Sequence, residues 1–393
     1  MKYTILMANF LLLTHIYPPA VDGGSKVIAK MGEYLNKQGH SILAVTSNCT
    51  STDDFSKPIH REITHPPNII SLPVITLFHR PFRLLGKFFP SFKTLSKGPI
   101  FKSLPLRQII NFHPDYIIAG PLPTTIIIYA KFIQLFTKSK LIINPCFHPQ
   151  DPDFQTPLLL SLLKKSDYLW CLTNYEKKYF QKYLKIQSPQ YIVHGLGVDT
   201  SFVIDKSKIS FPKNPNILFI ANFSAHKRTE LLIQSFCEIL ENHPQTSLTL
   251  MGQKTLYFPK IQSILRNLPS DTKKKIKIIF KPTQEQIKKA IDNSTCLVLP
   301  SVHESFGLVF VESLARGKPI VAANTKQSSE VLNTLHGGQA FTPDNLSSLT
   351  NTILKLSKSP KLAKDLGLKG HNIVSKSYTW DKIGGHICKK LAI

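Results

Sequence analysis

The chain has 393 residues, 42% of them apolar and 19% charged, enough to build two or three separate cores. These proportions exclude a disordered tail, a collagen-like fibre and a small disulfide scaffold. Lysine and arginine number 49 against 24 aspartates and glutamates, a formal net charge of +25 that favours anionic partners: nucleotide phosphates, an acidic membrane face or nucleic acid.

Lys2 followed by Ile5 to Leu13 resembles the apolar region of a signal peptide. The run continues directly into Tyr17-Pro18-Pro19-Ala20-Val21-Asp22-Gly23-Gly24, a strand end and turn. A buried first strand near Phe10–Thr14 is therefore expected, with residues 1–8 as an extension ahead of it. Val27, Ile28, Met31, Tyr34 and Leu35 then fall on one helical face, Gly39 stops that helix, and Ser41–Thr46 reads as the next strand.

Residues 63–114 form a distinct block with no Asp or Glu. It carries Arg80, Arg83, Lys87, Lys93, Lys97, Lys102 and Arg107 among Phe78, Phe82, Phe88, Phe89, Phe92 and Phe101. Apolar and basic residues mixed this way suit an element lying on anionic lipid, with Arg80, Arg83, Lys87 and Lys93 as its membrane contacts. A solvated basic loop over buried aromatics is the plainer alternative, and Pro81, Pro90, Pro99 and Pro105 limit any long helix. No nucleic-acid module accompanies the charge, so nucleic acid is the weaker partner.

Strands follow at Tyr116–Ala119, Leu141–Asn144, Tyr168–Thr173 and Tyr191–His194, with helices near 124–136, 158–165 and 174–183. Strand–helix–strand alternation implies a parallel sheet covered on both faces. Gly195-Leu196-Gly197-Val198-Asp199 to about Pro215 reads as a linker, after which the pattern restarts. Strands are expected at Asn216–Ala221, Ser247–Met251, Ile276–Phe280, Cys296–Pro300 and Pro319–Ala323. Thr283 and Gln286 form a capping box for a helix through Ile291, and Leu308–Arg316 is a helix stopped by Gly317. The division is an N-terminal domain over 1–195, a C-terminal domain over 196–375, and a last helical segment over 376–393. Two doubly wound α/β domains facing across a cleft would bind ligands at the carboxyl ends of their strands.

The chain lacks a run of about 18 apolar residues, so no spanning helix is expected. Its six cysteines include no C-x-x-C pair, which argues against a zinc knuckle or redox motif. They read as reduced core thiols in a cytosolic setting.

The sharpest chemical signal is Pro300-Ser301-Val302-His303-Glu304-Ser305-Phe306-Gly307-Leu308-Val309-Phe310-Val311-Glu312. A strand ends, a glycine turn follows and a helix begins, whose first N–H groups make an anion site suited to a diphosphate. Glu312 sits within an apolar run and needs partners, either ribose hydroxyls or Arg316 at i+4. Along a helix Glu304 and Glu312 would be about 12 Å apart, too far for the carboxylate pair of a retaining glycosidase.

Glu304-x7-Glu312 with Phe306-Gly307 resembles the E-x7-E segment of glycosyltransferase family 4, whose members retain anomeric configuration and have the GT-B fold. Other pieces resemble the family in its order: Tyr17-Pro18-Pro19 to Gly23-Gly24, Lys37-Gln38-Gly39-His40, Leu172-Thr173-Asn174-Tyr175-Glu176, Gly195 to Asp199, and Ile217 to Arg228. The likeness covers nearly the whole chain outside 63–114. It implies that Gly24, with Gly23, lets the N-terminal loop approach the donor diphosphate. Lys227 would neutralise that diphosphate as it departs, Glu304 would bind donor-sugar hydroxyls, and Glu312 would hold the ribose. Ser305, Phe306, Gly307, Leu308 and Val309 would line the donor. His148, in Cys146-Phe147-His148-Pro149, resembles the histidine that positions the transferred sugar.

The sequence departs from the family at Asn222, where arginine is usual, at Arg228, usually glycine, and at Lys326-Gln327-Ser328-Ser329-Glu330, which replaces a Gly-Gly turn. Asn222 is kept among the donor contacts but carries no charge. Asp151-Pro152-Asp153 is a D-x-D, a metal-diphosphate signature of another transferase fold, but the resemblance implies neither metal nor cofactor. Tyr378-Thr379-Trp380-Asp381 resembles the start of the family's final helix, which crosses back to the first domain. The resulting expectation is a cytoplasmic hexosyltransferase, peripheral on the inner membrane face, using a nucleotide-diphosphate sugar and a lipid-linked or saccharide acceptor. The alternative is a non-catalytic, membrane-associated nucleotide-sugar-binding protein on a decayed transferase scaffold, supported by Asn222 and the 326–330 change.

Overall fold

The computed structural model describes residues 7–19, 23–56 and 65–393. The extension expected over residues 1–8 lies outside the described residues apart from Met7 and Ala8, and so does the turn at Ala20-Val21-Asp22. The chain forms two units. The first takes it up to Gly195 and again over Ile383–Ile393; the second is Leu196–Lys382. Residues 376–382 therefore lie in the second unit, and the last helix, Trp380–Leu391, passes from one to the other.

The first unit holds a seven-stranded sheet: β1 (Asn9–Leu13), β2 (Ser41–Ser47), β3 (Ile69–Leu72), β4 (Tyr116–Ala119), β5 (Lys140–Ile143), β6 (Tyr168–Cys171) and β7 (Gln190–Val193), in the order β3-β2-β1-β4-β5-β6-β7. Every pairing is parallel. Strands covered on both faces need continuous apolar runs, and Phe10-Leu11-Leu12-Leu13 and Ile117-Ile118-Ala119 are fully buried. Phe10 lies opposite Ile42 on one side and Tyr116 on the other, its ring stacked on that of Tyr116 at 5.1 Å. The helix Gly23–Lys37 turns Val27, Ile28, Met31 and Leu35 inward, the face anticipated from their spacing.

The basic block is more regular than its prolines suggest. It holds β3 and the short helices His79–Leu85, Pro90–Leu95 and Leu106–Asn111. Pro81 and Pro90 sit in the first turns of their helices, where a missing N–H breaks no intrahelical bond.

The second unit repeats the plan with six strands: β8 (Asn216–Ile220), β9 (Ser247–Gly252), β10 (Ile276–Phe280), β11 (Cys296–Leu299), β12 (Ile320–Ala323) and β13 (Gly338–Phe341). Their order is β10-β9-β8-β11-β12-β13, again all parallel. The capping box of Thr283 and Gln286 is present on the helix Gln284–Asp292. The segment ahead of β8 holds two single turns, Thr200–Phe202 and Lys206–Lys208. Val198 pairs with Thr379 as an isolated parallel bridge, which fixes the start of the last helix at Trp380.

Candidate functional site

In each sheet the strand order reverses at the middle, between β1 and β4 in the first and between β8 and β11 in the second. Chains leaving the two central strands diverge to opposite faces, and the gap between them at the carboxyl edge is where open α/β sheets bind ligands.

In the second unit the loops at that edge are Ala221–Arg228, after β8, and Pro300–Gly307, after β11. They are tied together: the Val302 amide donates to the His226 carbonyl at 3.0 Å. The Lys227 ammonium donates to Glu304 Oε2 at 2.7 Å, with side chains only 17% and 12% exposed. Two residues far apart in sequence, each singled out for charge, thus meet as one ion pair. Gly307 closes the second loop with φ +87°, in the left-handed region, and caps the helix Leu308–Ala315. A Cβ there would lie 2.5 Å from the Phe310 ring, so backbone angle and space both demand glycine. Ser305 and Phe306 are buried, Leu308 and Val309 half-buried, and the Phe306 ring stacks on Tyr378 at 5.9 Å.

Glu312 is 4% exposed on that helix. Arg316, its proposed partner at i+4, is engaged elsewhere: its guanidinium grips both oxygens of Asp292 at 2.5 Å and reaches the Phe202 carbonyl. Glu304 precedes the glycine break, so the helical spacing assumed between Glu304 and Glu312 does not hold: only Glu312 is on the helix.

Asn222 is exposed at the rim of the first loop, its carbonyl accepting from the Ser224 amide at 2.8 Å. Arg228, in left-handed conformation, clamps Asp344 through Nε at 2.7 Å and Nη2 at 3.3 Å. That pair was invisible in the sequence, where Asp344 is one carboxylate in a loop with no spacing to recommend it. The same is true of Tyr378 against Phe306. Lys326–Glu330 opens the helix Lys326–Leu335, capped by Thr325, with Gln327 and Ser328 buried.

In the first unit Gly23 and Gly24 open the helix after β1, and a Cβ on Gly24 would lie 2.4 Å from Pro121, which follows β4. The loops of the two central strands touch there as well. His148 follows β5, half-buried, its ring edge-on to Phe154 at 5.1 Å. Asp151 caps the turn Pro152–Gln155 by accepting from the Asp153 amide, and Asp153 pairs with Lys97 at 2.6 Å and Lys93 at 3.6 Å. Lys93 therefore faces a carboxylate of its own unit. Arg80, Arg83 and Lys87 are exposed, beside exposed Leu77, Leu84, Phe88 and Phe89.

Residues 202–372 match the family model described as glycosyl transferases group 1. The second unit carries a group 1 glycosyltransferase domain. An uncharacterized glycosyltransferase of Methanocaldococcus jannaschii is 26% identical over 217 residues, 55% of this chain and 57% of that protein. The matches span 42% to 57% of the length of the first curated relatives. Among solved structures, sucrose-phosphate synthase of Thermosynechococcus elongatus has a TM-score of 0.76 at 18% identity, covering 98% of this chain and 99% of that one. HepE of Anabaena, solved with UDP-glucose, has a TM-score of 0.73 at 15% identity over 98% and 99%. These neighbours share the fold, and the two Rossmann-like parallel sheets are those of the GT-B class. The family resemblance drawn from the E-x7-E segment is borne out.

Proposed function

We propose that the chain is a retaining glycosyltransferase that moves a hexose from a nucleotide-diphosphate sugar to a lipid-linked or saccharide acceptor, without a metal. The observation that carries this reading is the Lys227–Glu304 pair, held beside the Gly307 helix start at the switch point of the second sheet. A departing diphosphate needs positive charge where its own charge develops, and a preorganised ammonium with a helix N-terminus supplies it. Lys227 takes that role, and Glu304, already its partner, receives the sugar hydroxyls. Ser305 to Val309 line the donor and Glu312 holds the ribose. Asn222 gives a neutral contact where charge is usual, since Arg228 is committed to Asp344.

Gly23 and Gly24 admit the diphosphate at the first unit's loop, and His148 positions the sugar. The leaving diphosphate oxygen takes the acceptor proton, so attack comes from the departing face and configuration is kept. The HepE neighbour was solved with UDP-glucose, which makes UDP-sugars the first donors to try. The exposed leucines and phenylalanines flanked by Arg80, Arg83 and Lys87 support peripheral association with an anionic membrane, with Lys93 a lesser contact because Asp153 engages it. The non-catalytic alternative keeps Asn222 and the 326–330 change as its support; the retained Lys227–Glu304 pair favours the transferase reading.

The test is a panel of nucleotide sugars read by mass spectrometry. Release of nucleotide diphosphate from one of them, lowered at least about 10²-fold in Lys227→Ala and Glu304→Ala while both variants still melt cooperatively, is the expected result. No stabilisation and no turnover with any donor removes the reading.

A further inference from the structure

Thr173-Asn174-Tyr175-Glu176 has the spacing of a helix-capping box, a threonine followed three residues later by a glutamate. The first half behaves accordingly: Thr173 Oγ1 accepts from the Glu176 amide at 3.1 Å and starts the helix Asn174–Lys182. The glutamate side chain reaches further than its own helix. Its Oε2 accepts from the Leu172 amide at 2.6 Å, and its Oε1 accepts from the Phe147 amide, on the loop after the neighbouring strand β5, at 3.1 Å. Glu176 is fully buried. A carboxylate is costly to bury for a cap that an exposed one would serve as well, and backbone amides from two loops help offset that cost.

Phe147 immediately precedes His148. Its own ring is fully buried against Phe154, Tyr179 and Phe180 at 4.7 to 5.7 Å, and Phe154 also meets the His148 ring. The Phe147 amide is thus fixed at one end by the carboxylate and its side chain by an aromatic cluster. Cys146, just before it, takes φ +47°, a conformation that must be held by its surroundings. His148 is held on its other side as well, its carbonyl accepting from the Asp151 amide at 3.1 Å.

The geometry points to Glu176 as a positioning residue for His148: a buried carboxylate on the β6 side sets the β5 loop, and through it the direction of the imidazole. The assignment rests on the reading of His148 as a sugar-positioning group, and goes beyond it by naming what aims that group. Glutamine is the informative substitution. It keeps the shape and one acceptor, but its NH2 confronts an amide that needs an acceptor.

The first readout needs no substrate. In the full chain, the His148 ring signal in an NMR spectrum, identified by its loss in His148→Ala, shifts in Glu176→Gln, and the Phe147 amide exchanges at least about tenfold faster while cooperative melting persists. A ring signal and amide exchange that stay put overturn the proposal. The second readout uses whichever nucleotide sugar the wild-type chain turns over. Glu176→Gln lowers kcat roughly tenfold with donor KM within about twofold, and in a His148→Ala background it adds almost nothing. Fully additive losses show a general structural role and also overturn it. Full turnover in His148→Ala would defeat the histidine's assigned role, and the ring signal alone then decides what Glu176 holds.

Discussion

The two sheets share one topology, with order reversing at the middle, yet the loops at their switch points are built from different materials. In the second unit the loops after β8 and β11 deliver opposite charges that meet at 2.7 Å, next to a left-handed glycine at a helix start. In the first unit the described residues after β1 and β4 come together at Gly24 and Pro121, a backbone against a proline ring, and His148 follows the next strand, β5. The difference teaches that topology chooses where a ligand can sit while loop residues choose what it can be: one edge is made to hold an anion, the other to let a backbone come close.

The largest effect expected is at the charged edge. Lys227→Ala lowers turnover about 10²–10³-fold, the loss typical of removing one preorganised donor to a developing charge. A cooperative melt is retained but Tm falls, because the mostly buried Glu304 carboxylate loses its ammonium partner. Steady-state kinetics with calorimetry checks both halves. An equally large loss in Gly24→Ala with an intact Lys227 would mean that the two edges do not differ in kind.

Glycine substitutions are the next sharpening. Gly307→Ala forces a Cβ into a left-handed position 2.5 Å from the Phe310 ring, and a cost of about 1–3 kcal/mol is expected. Gly24→Ala meets the rigid Pro121 ring at 2.4 Å, with a similar overpacking cost of about 1–3 kcal/mol. The units should respond separately, so chemical denaturation followed by exchange in each sheet assigns each loss to its own half. Both losses appearing in one sheet would contradict the division at Gly195.

Much of this was legible in the sequence, and what was not has a physical reason. Strand cores such as Phe10–Leu13 and Cys296–Leu299 showed because strands buried on both faces must be apolar throughout. The Gly307 turn showed because few residues tolerate its backbone. The helices of 63–114 did not show, because prolines in first turns look the same in sequence as prolines that break helices. Nor did Arg228–Asp344, Arg316–Asp292 or Glu176–Phe147 show, since each joins residues brought together only by the sheet order. For the same reason the Glu312–Arg316 pairing, plausible from helical spacing alone, gave way to a stronger partner across the fold.

Each unit also buries a titratable group away from its switch point, and their pH responses run through different windows. In the second unit Lys318 is 1% exposed, donating to the Ser210 and Ser294 carbonyls at 2.6 and 2.8 Å with the Phe211 ring 4.4 Å below it. Burial lowers its pKa from 10.5 to about 8, with Arg316 adding to the fall and Asp292 opposing it. Between pH 8 and 10.5 the unfolded chain holds a proton here that the folded chain has lost, so stability rises with pH across that window and is flat below it. The full span is worth on the order of 3 kcal/mol. The stability difference between wild type and Lys318→Met, followed from pH 7 to 10, should trace this rise, and a flat difference would refute it.

The smallest effect belongs to the first unit. His194, at the end of β7, and His386, on the last helix, stack with ring centroids 5.0 Å apart. Burial lowers both pKa values. His386 adds to the fall at His194, partly opposed by the Gly195 carbonyl, while Lys390 and Lys389 add to it at His386. A depressed histidine binds its proton more readily in the unfolded chain, so stability is complete above the ordinary value of 6.5 and declines as pH falls below it. The decline should begin where the last helix packs, because protonating both rings sets like charges against each other beside two lysines. Exchange of the 383–391 amides at pH 5.5 against pH 7.5 should therefore rise in wild type and respond less in His386→Gln, whereas the alkaline window of Lys318 stays unchanged. An identical acid response in the variant would assign the effect to other groups and leave the two units alike in this respect.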